Sequence, residues 1–131
     1  MAIQLNHLII PTRDKEEAGR FYARMFGLRY NGPVGHFAPV EIPGQSLTLD
    51  FDTWESLQPQ HYAFKVSETE FDAIFARIKD ASLAYGSEPF APENGKINNW
   101  NGGRGVYFRD PSGHLLEILT RDEPAEPRGE T

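Results

Sequence analysis

A chain of 131 residues with 39% hydrophobic and 24% charged residues has the length and composition of one globular domain, able to bury roughly two-thirds of the surface its unfolded form exposes. Its net charge of -6 argues against a nucleic-acid partner, because no basic stripe is present to displace the counterions of a phosphate backbone, and its apolar runs are too short to span a membrane. With no cysteine, disulfides, thiolate nucleophiles and zinc ribbons are excluded together, and His, Asp and Glu remain as the strong metal ligands.

Met1 to Leu5 have neither a basic region nor an apolar stretch of signal-peptide length, so the expected location is cytoplasmic and the expected partner a small molecule or another protein. The first strand-like run is Leu5-Asn6-His7-Leu8-Ile9-Ile10. Alternation places Leu8 and Ile10 on one face and Leu5, His7 and Ile9 on the other. From Thr12 to Met25, the residues Ala18, Phe21, Tyr22 and Met25 recur at i, i+3, i+4 and i+7, the apolar stripe of a helix. Asp14 followed by Glu17 gives a capping-box-like start and Gly27 a stop. Three short extended segments follow, Leu28 to Asn31, His36 to Ile42 and Ser46 to Asp52, separated by Gly32-Pro33 and Pro43-Gly44 turns. The first half thus reads β-α-β-β-β.

Thr53 to Gln60 form a link, and then the pattern repeats. His61-Tyr62-Ala63-Phe64-Lys65-Val66 is a second histidine-headed strand, Ser67-Glu68-Thr69-Glu70 is a capping box, and Phe71, Ile74, Phe75 and Ile78 form the second helical stripe. Extended segments are predicted at Ala84 to Phe90, Arg104 to Arg109 and, after the turn Asp110-Pro111-Ser112-Gly113, His114 to Thr120. The Asn- and Gly-rich stretch Pro92 to Gly103 is long enough to be a mobile loop beside a site. These assignments give an α+β chain of two βαβββ modules, 1–52 and 61–120 joined by 53–60, in one domain over 1–120. The Pro- and charge-rich segment 121–131 is expected to be a flexible tail.

Three residues stand out for their chemistry: His7, His61 and Glu117, two imidazoles and a carboxylate, a donor set suited to a divalent metal with open positions. Alternation places each on the face of its strand away from the helix: His61 with Ala63 and Lys65, and Glu117 with Leu115 and Leu119. A carboxylate between Leu116 and Ile118 is costly to bury without a cation or several donors. The helices would then cover the convex side of each sheet, with the ligands on a shared concave surface. His36 and His114 are expected to be structural, with His114 capping the turn or facing solvent. Lys65 would recognise an anionic substrate or reach solvent, and Trp54 and Trp100 would cover a pocket or an interface.

His7 near the start, His61 opening the second half, the run Gly105-Val106-Tyr107-Phe108-Arg109-Asp110-Pro111-Ser112-Gly113-His114 and then Glu117 together resemble the vicinal-oxygen-chelate superfamily. This group contains glyoxalase I, fosfomycin-inactivating enzymes, extradiol ring-cleaving dioxygenases, methylmalonyl-CoA epimerase and bleomycin-binding resistance proteins. The resemblance covers residues 3 to 120 and implies a fold of paired βαβββ modules. It also implies a divalent ion (Fe, Mn, Zn or Ni) on His7, His61 and Glu117. The glyoxalase pattern has a further carboxylate on the last strand of the first half, where Thr48, Asp50 or Asp52 could face the metal and only Asp50 is a mid-strand carboxylate.

Tyr107 falls where ring-cleaving and fosfomycin enzymes carry a substrate-contacting tyrosine, so Tyr107 and Asp50 are the candidate oxyanion donor and base. The ring-cleaving enzymes' base histidine has no counterpart here. The loop Asn94 to Gly103 lacks the serine-containing potassium loop of the fosfomycin glutathione transferases, so fosfomycin is not the expected substrate. The resemblance therefore implies a dioxygenase-like or lyase/isomerase-like metalloenzyme acting on a small molecule, in a homodimer with sites shared between chains. The alternative is a non-catalytic drug-sequestering protein of the bleomycin-resistance type.

Overall fold

Helix α1 (Lys15–Phe26) and helix α2 (Glu68–Asp80) form where apolar periodicity and caps coincide. Asp14 in extended conformation accepts from Glu16 N and Glu17 N, and Gly27 closes α1 in the left-handed region at φ 68°, which glycine adopts without the Cβ clash other residues suffer. At α2, Ser67 Oγ accepts from Glu70 N while Glu70 Oε1 accepts from Ser67 N, at 3.1 and 2.9 Å, so two otherwise unpaired helix donors are satisfied reciprocally. The stripes supply most of the buried residues: Ala18, Phe21, Tyr22 and Met25 on α1, where Gly19 is buried as well, and Phe71, Ile74 and Ile78 on α2, where Phe75 is only half-buried.

The computed structural model describes residues 3–122; most of the segment expected to be a flexible tail, 123–131, lies outside the described residues. The chain divides into two units, residues 1–60 with 110–114, and 61–109 with the remaining C-terminal residues. In the first, β1 (His7–Thr12), β2 (Ala38–Ile42) and β3 (Leu47–Thr53) form a sheet in the order β1-β3-β2, with β3 parallel to β1 and antiparallel to β2. In the second, β4 (His61–Lys65), β5 (Tyr85–Gly86), β6 (Gly105–Arg109) and β7 (Leu115–Leu119) take the order β4-β7-β6-β5. Again the first strand pairs parallel with the last and the last antiparallel with the one before it. The internal repeat legible in the sequence is a repeat of topology, and the chain is α+β with two mixed sheets as expected.

Three local expectations are corrected. Leu28 to Asn31 is not a strand: the segment runs beside α1, where a Cβ on Gly19 would meet the Tyr30 ring at 3.0 Å. A helix has no free mid-chain donors or acceptors with which to build a ladder. The segment Ala84 to Phe90 pairs only at Tyr85–Gly86 before turning back through a Glu88–Ala91 bridge. The stretch Pro92 to Gly103 is tethered. Asn94 Oδ1 accepts from Ser87 N and Lys96 N, Asn98 Nδ2 donates to Ser87 O, and Trp100 N donates to Asn98 Oδ1 before a short 3-10 turn at Trp100–Gly102. Its asparagines act as substitutes for backbone partners, the reason the residue suits irregular segments.

His114 is structural, as expected, but not at the surface. It is fully buried and does not face solvent. Its Nδ1 accepts from Gln60 N at 2.9 Å, so the proton sits on Nε2, which donates to Pro11 O at 2.7 Å. In the same turn Asp110 Oδ1 accepts from Ser112 N and His114 N, and Tyr22 Oη donates to Asp110 Oδ2 at 2.7 Å. Both nitrogens of His114 are committed to backbone, which assigns it to structure.

Candidate metal centre

Register in each sheet decides which side chains stand together. In the second unit Ala63 pairs with Glu117 and Tyr107 pairs with Glu117 across β4-β7-β6, so His61, Glu117 and Tyr107 occupy one face of the sheet. Leu116 and Ile118, on the opposite face, are completely buried, as are Val106 and Phe108. Glu117 itself is only 5% exposed. Its Oε1 lies 3.0 Å from His61 Nε2, whose side chain is 44% exposed, so the pair has one buried member and one open to solvent. Tyr107 is buried with its ring 5.7 Å from that of His61 and 6.2 Å from that of Trp100, which stands edge-on.

The separation of His61 and Glu117 suits a metal as well as a hydrogen bond. Two ligand bonds of about 2.1 Å meeting at a right angle span about 3.0 Å. A nitrogen and an oxygen donor at that distance have the spacing of two adjacent ligands on one ion. The donor set fits a divalent transition ion and lacks the all-oxygen character that calcium prefers.

His7 lies in the first unit, exposed on β1, where its Nδ1 is 2.8 Å from Asn6 Oδ1. An amide oxygen accepts, so Nδ1 donates to Asn6 and Nε2 is the ring nitrogen outside that bond. Asn6 was missed in the sequence reading. Its signal is adjacency to His7, too common a pattern to single out. Within the described residues of a single chain no group of three His, Asp or Glu side chains forms a metal-holding arrangement.

The three polar positions of β3 are told apart by their surroundings. Thr48 pairs in register with His7, Asp50 with Ile9 and Asp52 with Pro11. Asp50 therefore has the place in the first sheet, two residues beyond the histidine partner, that Glu117 has in the second. Asp50 is half-buried. Asp52 is buried and already engaged, with Oδ1 3.1 Å from His36 Nε2 and Oδ2 accepting from Trp54 Nε1 at 2.9 Å. His36 and Trp54 thus share the Asp52 carboxylate. Lys65 reaches Asp122 at 3.0 Å on the surface, so its ammonium has a carboxylate of its own chain.

Comparison with known proteins gives the family. A family model described as the Glyoxalase/Bleomycin resistance protein/Dioxygenase superfamily matches residues 4–118. The metallothiol transferase FosB of Shouchella clausii (strain KSM-K16) is 30% identical over 124 residues, covering 88% of this chain and 79% of the relative. Among solved structures, oxidase ChaP-H2 superposes with a TM-score of 0.88 at 49% identity, covering 93% of this chain and 96% of the other. Oxidase ChaP-H1 gives 0.87 at 43%, with 92% and 98% covered. These relatives are named as enzymes, and no helix among the described residues is long and apolar enough to cross a membrane. From residue 4 to 118, with its repeated topology, the chain belongs to the Glyoxalase/Bleomycin resistance protein/Dioxygenase superfamily, among that group's enzymes.

Proposed function

We propose that this chain is a metal-dependent oxidase acting with dioxygen on a small, oxygen-rich aromatic molecule. In this reading His7, His61 and Glu117 hold a divalent ion, iron, manganese, zinc or nickel, and Tyr107 and Asp50 act on the substrate. The observation that carries it is the His61–Glu117 pair at 3.0 Å with a buried carboxylate. The two oxidases at 49% and 43% identity favour oxidation within the family's range, and a metallothiol transferase among the relatives supports a metal in general.

A divalent ion on this set would act as a Lewis acid toward vicinal substrate oxygens. The chain's own groups do the rest. Tyr107, register partner of Glu117, offers a hydroxyl donor to the oxygen on which negative charge develops, and a donor fixed in a packed strand needs little reorganisation. The Trp100 ring, edge-on to Tyr107, adds an apolar wall. Asp50 accepts the proton released by a substrate hydroxyl. Asn6 holds His7 in the tautomer that leaves Nε2 available.

The enzyme is proposed to work as a homodimer with sites shared between chains, His7 of one chain serving with His61 and Glu117 of the other. Mixed and reassembled His7→Ala and Glu117→Ala proteins would then regain activity, since one site per heterodimer is intact; no recovery would place each site within a chain. The function is tested by anaerobic reconstitution with each metal, then an oxygen electrode with polyhydroxylated aromatics. Metal-dependent oxygen uptake that Glu117→Gln abolishes is expected. Turnover without oxygen consumption would move the chain to lyase or isomerase chemistry.

A further inference from the structure

A second feature lies wholly within the first unit. A cleft of about 770 Å³ opens along the last turns of α1 and the segment after it, lined by Arg20, Arg24, Arg29, Leu28, Tyr30 and Pro43. Its volume falls within the range of about 300 to 1,000 Å³ typical of small-molecule sites. Three arginines line it in a chain whose net charge is -6. Among the described residues none of the three has a carboxylate within 4 Å or any hydrogen-bond acceptor. The surface arginine that does serve structure here, Arg104, is bonded to Glu68 and Asp72 and lies over the Phe71 ring.

Spacing adds to the charge. Arg20 and Arg24 are one turn apart on α1, where like charges repel; Glu16, one turn before Arg20, and the helix C-terminus beside Arg24 offset this in part. The Tyr30 hydroxyl is buried and has no hydrogen-bond partner, which is rare for a buried polar group and marks a place where a partner is missing. Burial pushes the Tyr30 hydroxyl up from its usual range, with Glu16 adding to the effect, Arg20 opposing it and Asp14 adding again, so at neutral pH it is an O–H donor. Its ring lies against α1 at Gly19, and Leu28 and Pro43 supply apolar walls.

We infer that this cleft binds a multiply charged oxyanion on a small molecule, a phosphate ester or a polycarboxylate, clamped by Arg20, Arg24 and Arg29 with Tyr30 beside them. Forked guanidinium donors match oxyanion geometry two bonds at a time, and three of them exceed what a singly charged ligand needs. The cleft is separate in residues from the metal ligands proposed above, so it would take a ligand other than the oxidised substrate or an extended, charged part of it.

The test is titration calorimetry of the full chain with sodium pyrophosphate, trisodium citrate and monophosphate, at low and physiological ionic strength. Saturable binding near one ligand per chain is expected for pyrophosphate or citrate, whichever is tighter identifying the source, with monophosphate weaker. Arg24→Gln and, off the helix, Arg29→Gln should each weaken binding about tenfold or more, the scale of a lost charge-assisted bond, with unfolding midpoints unchanged. The Glu117→Gln protein should bind as the parent does. Binding lost in Glu117→Gln but kept in the arginine variants would mean chelation at a metal and overturn the inference. So would a linear, unsaturable heat, or saturable binding that neither arginine substitution weakens.

Discussion

Replacing Glu117 by Gln separates a metal ligand from a structural carboxylate, because the two roles predict opposite responses to metal. Volume is kept, and the amide can still bond His61 across the 3.0 Å gap. The carboxylate is only 5% exposed, beside completely buried Leu116 and Ile118, so removing its charge relieves desolvation while weakening one bond to a half-exposed imidazole. These terms nearly cancel, and the metal-free variant should match the parent within about 1 kcal/mol. Metal changes this. A ligand at one hundred times its dissociation constant stabilises the native state by about 2.7 kcal/mol, which for a chain of this size raises the midpoint by about 10 °C. The assay is thermal unfolding of parent and variant, chelator-treated and then titrated with manganese, nickel or zinc. The parent should rise and the variant should not. Equal rises would show that the metal binds elsewhere, and a metal-free variant already unfolded would make Glu117 a packing residue.

Tyr107→Phe should keep the metal and slow turnover by about 100-fold or more, the scale of one oxyanion donor, as read by steady-state kinetics at saturating metal; unchanged kinetics would return Tyr107 to packing. His114→Ala should lower stability by about 2 to 4 kcal/mol in urea unfolding, since it removes a buried ring and strands Gln60 N and Pro11 O, while leaving metal affinity intact. Glu68 is held below the usual carboxylate range by a hydrogen bond from Thr120 and by Arg104. Its contribution is therefore present above the unfolded carboxylate range and lost as pH falls through the folded value. The stability difference between parent and Arg104→Ala should accordingly narrow on acidification, leaving the pH-independent part from contact with Phe71.

The helices, the internal repeat and the facing of β1, β4 and β7 were legible because each has a local signal. A stripe at 3.6 residues, a cap at either end and alternation along a strand all lie within a dozen residues. Leu28 to Asn31 failed because strand pairing is a property of the partner, and the Tyr30 ring instead found room over Gly19. The stretch Pro92 to Gly103 reads as mobile since Asn and Gly mark irregular backbone, yet the same amides of Asn94 and Asn98 fasten it. Neighbours set the histidines apart. His114 and His61 follow similar sequence logic, but one has both nitrogens bonded to backbone and the other meets a buried carboxylate 56 residues away. The different surroundings of Thr48, Asp50 and Asp52 show only in the register with β1 and in the ties of Asp52 to His36 and Trp54.

His7, His61 and Glu117 are proposed to hold a divalent ion together, and this proposal has a direct check. It is tested most directly by metal content after equilibrium dialysis against one buffered metal concentration, measured on the parent and on His7→Ala, His61→Ala and Glu117→Ala, each verified as folded by circular dichroism. About one ion per chain is expected in the parent and little metal in any of the three variants. Parent-level metal in all three folded variants would contradict the proposal.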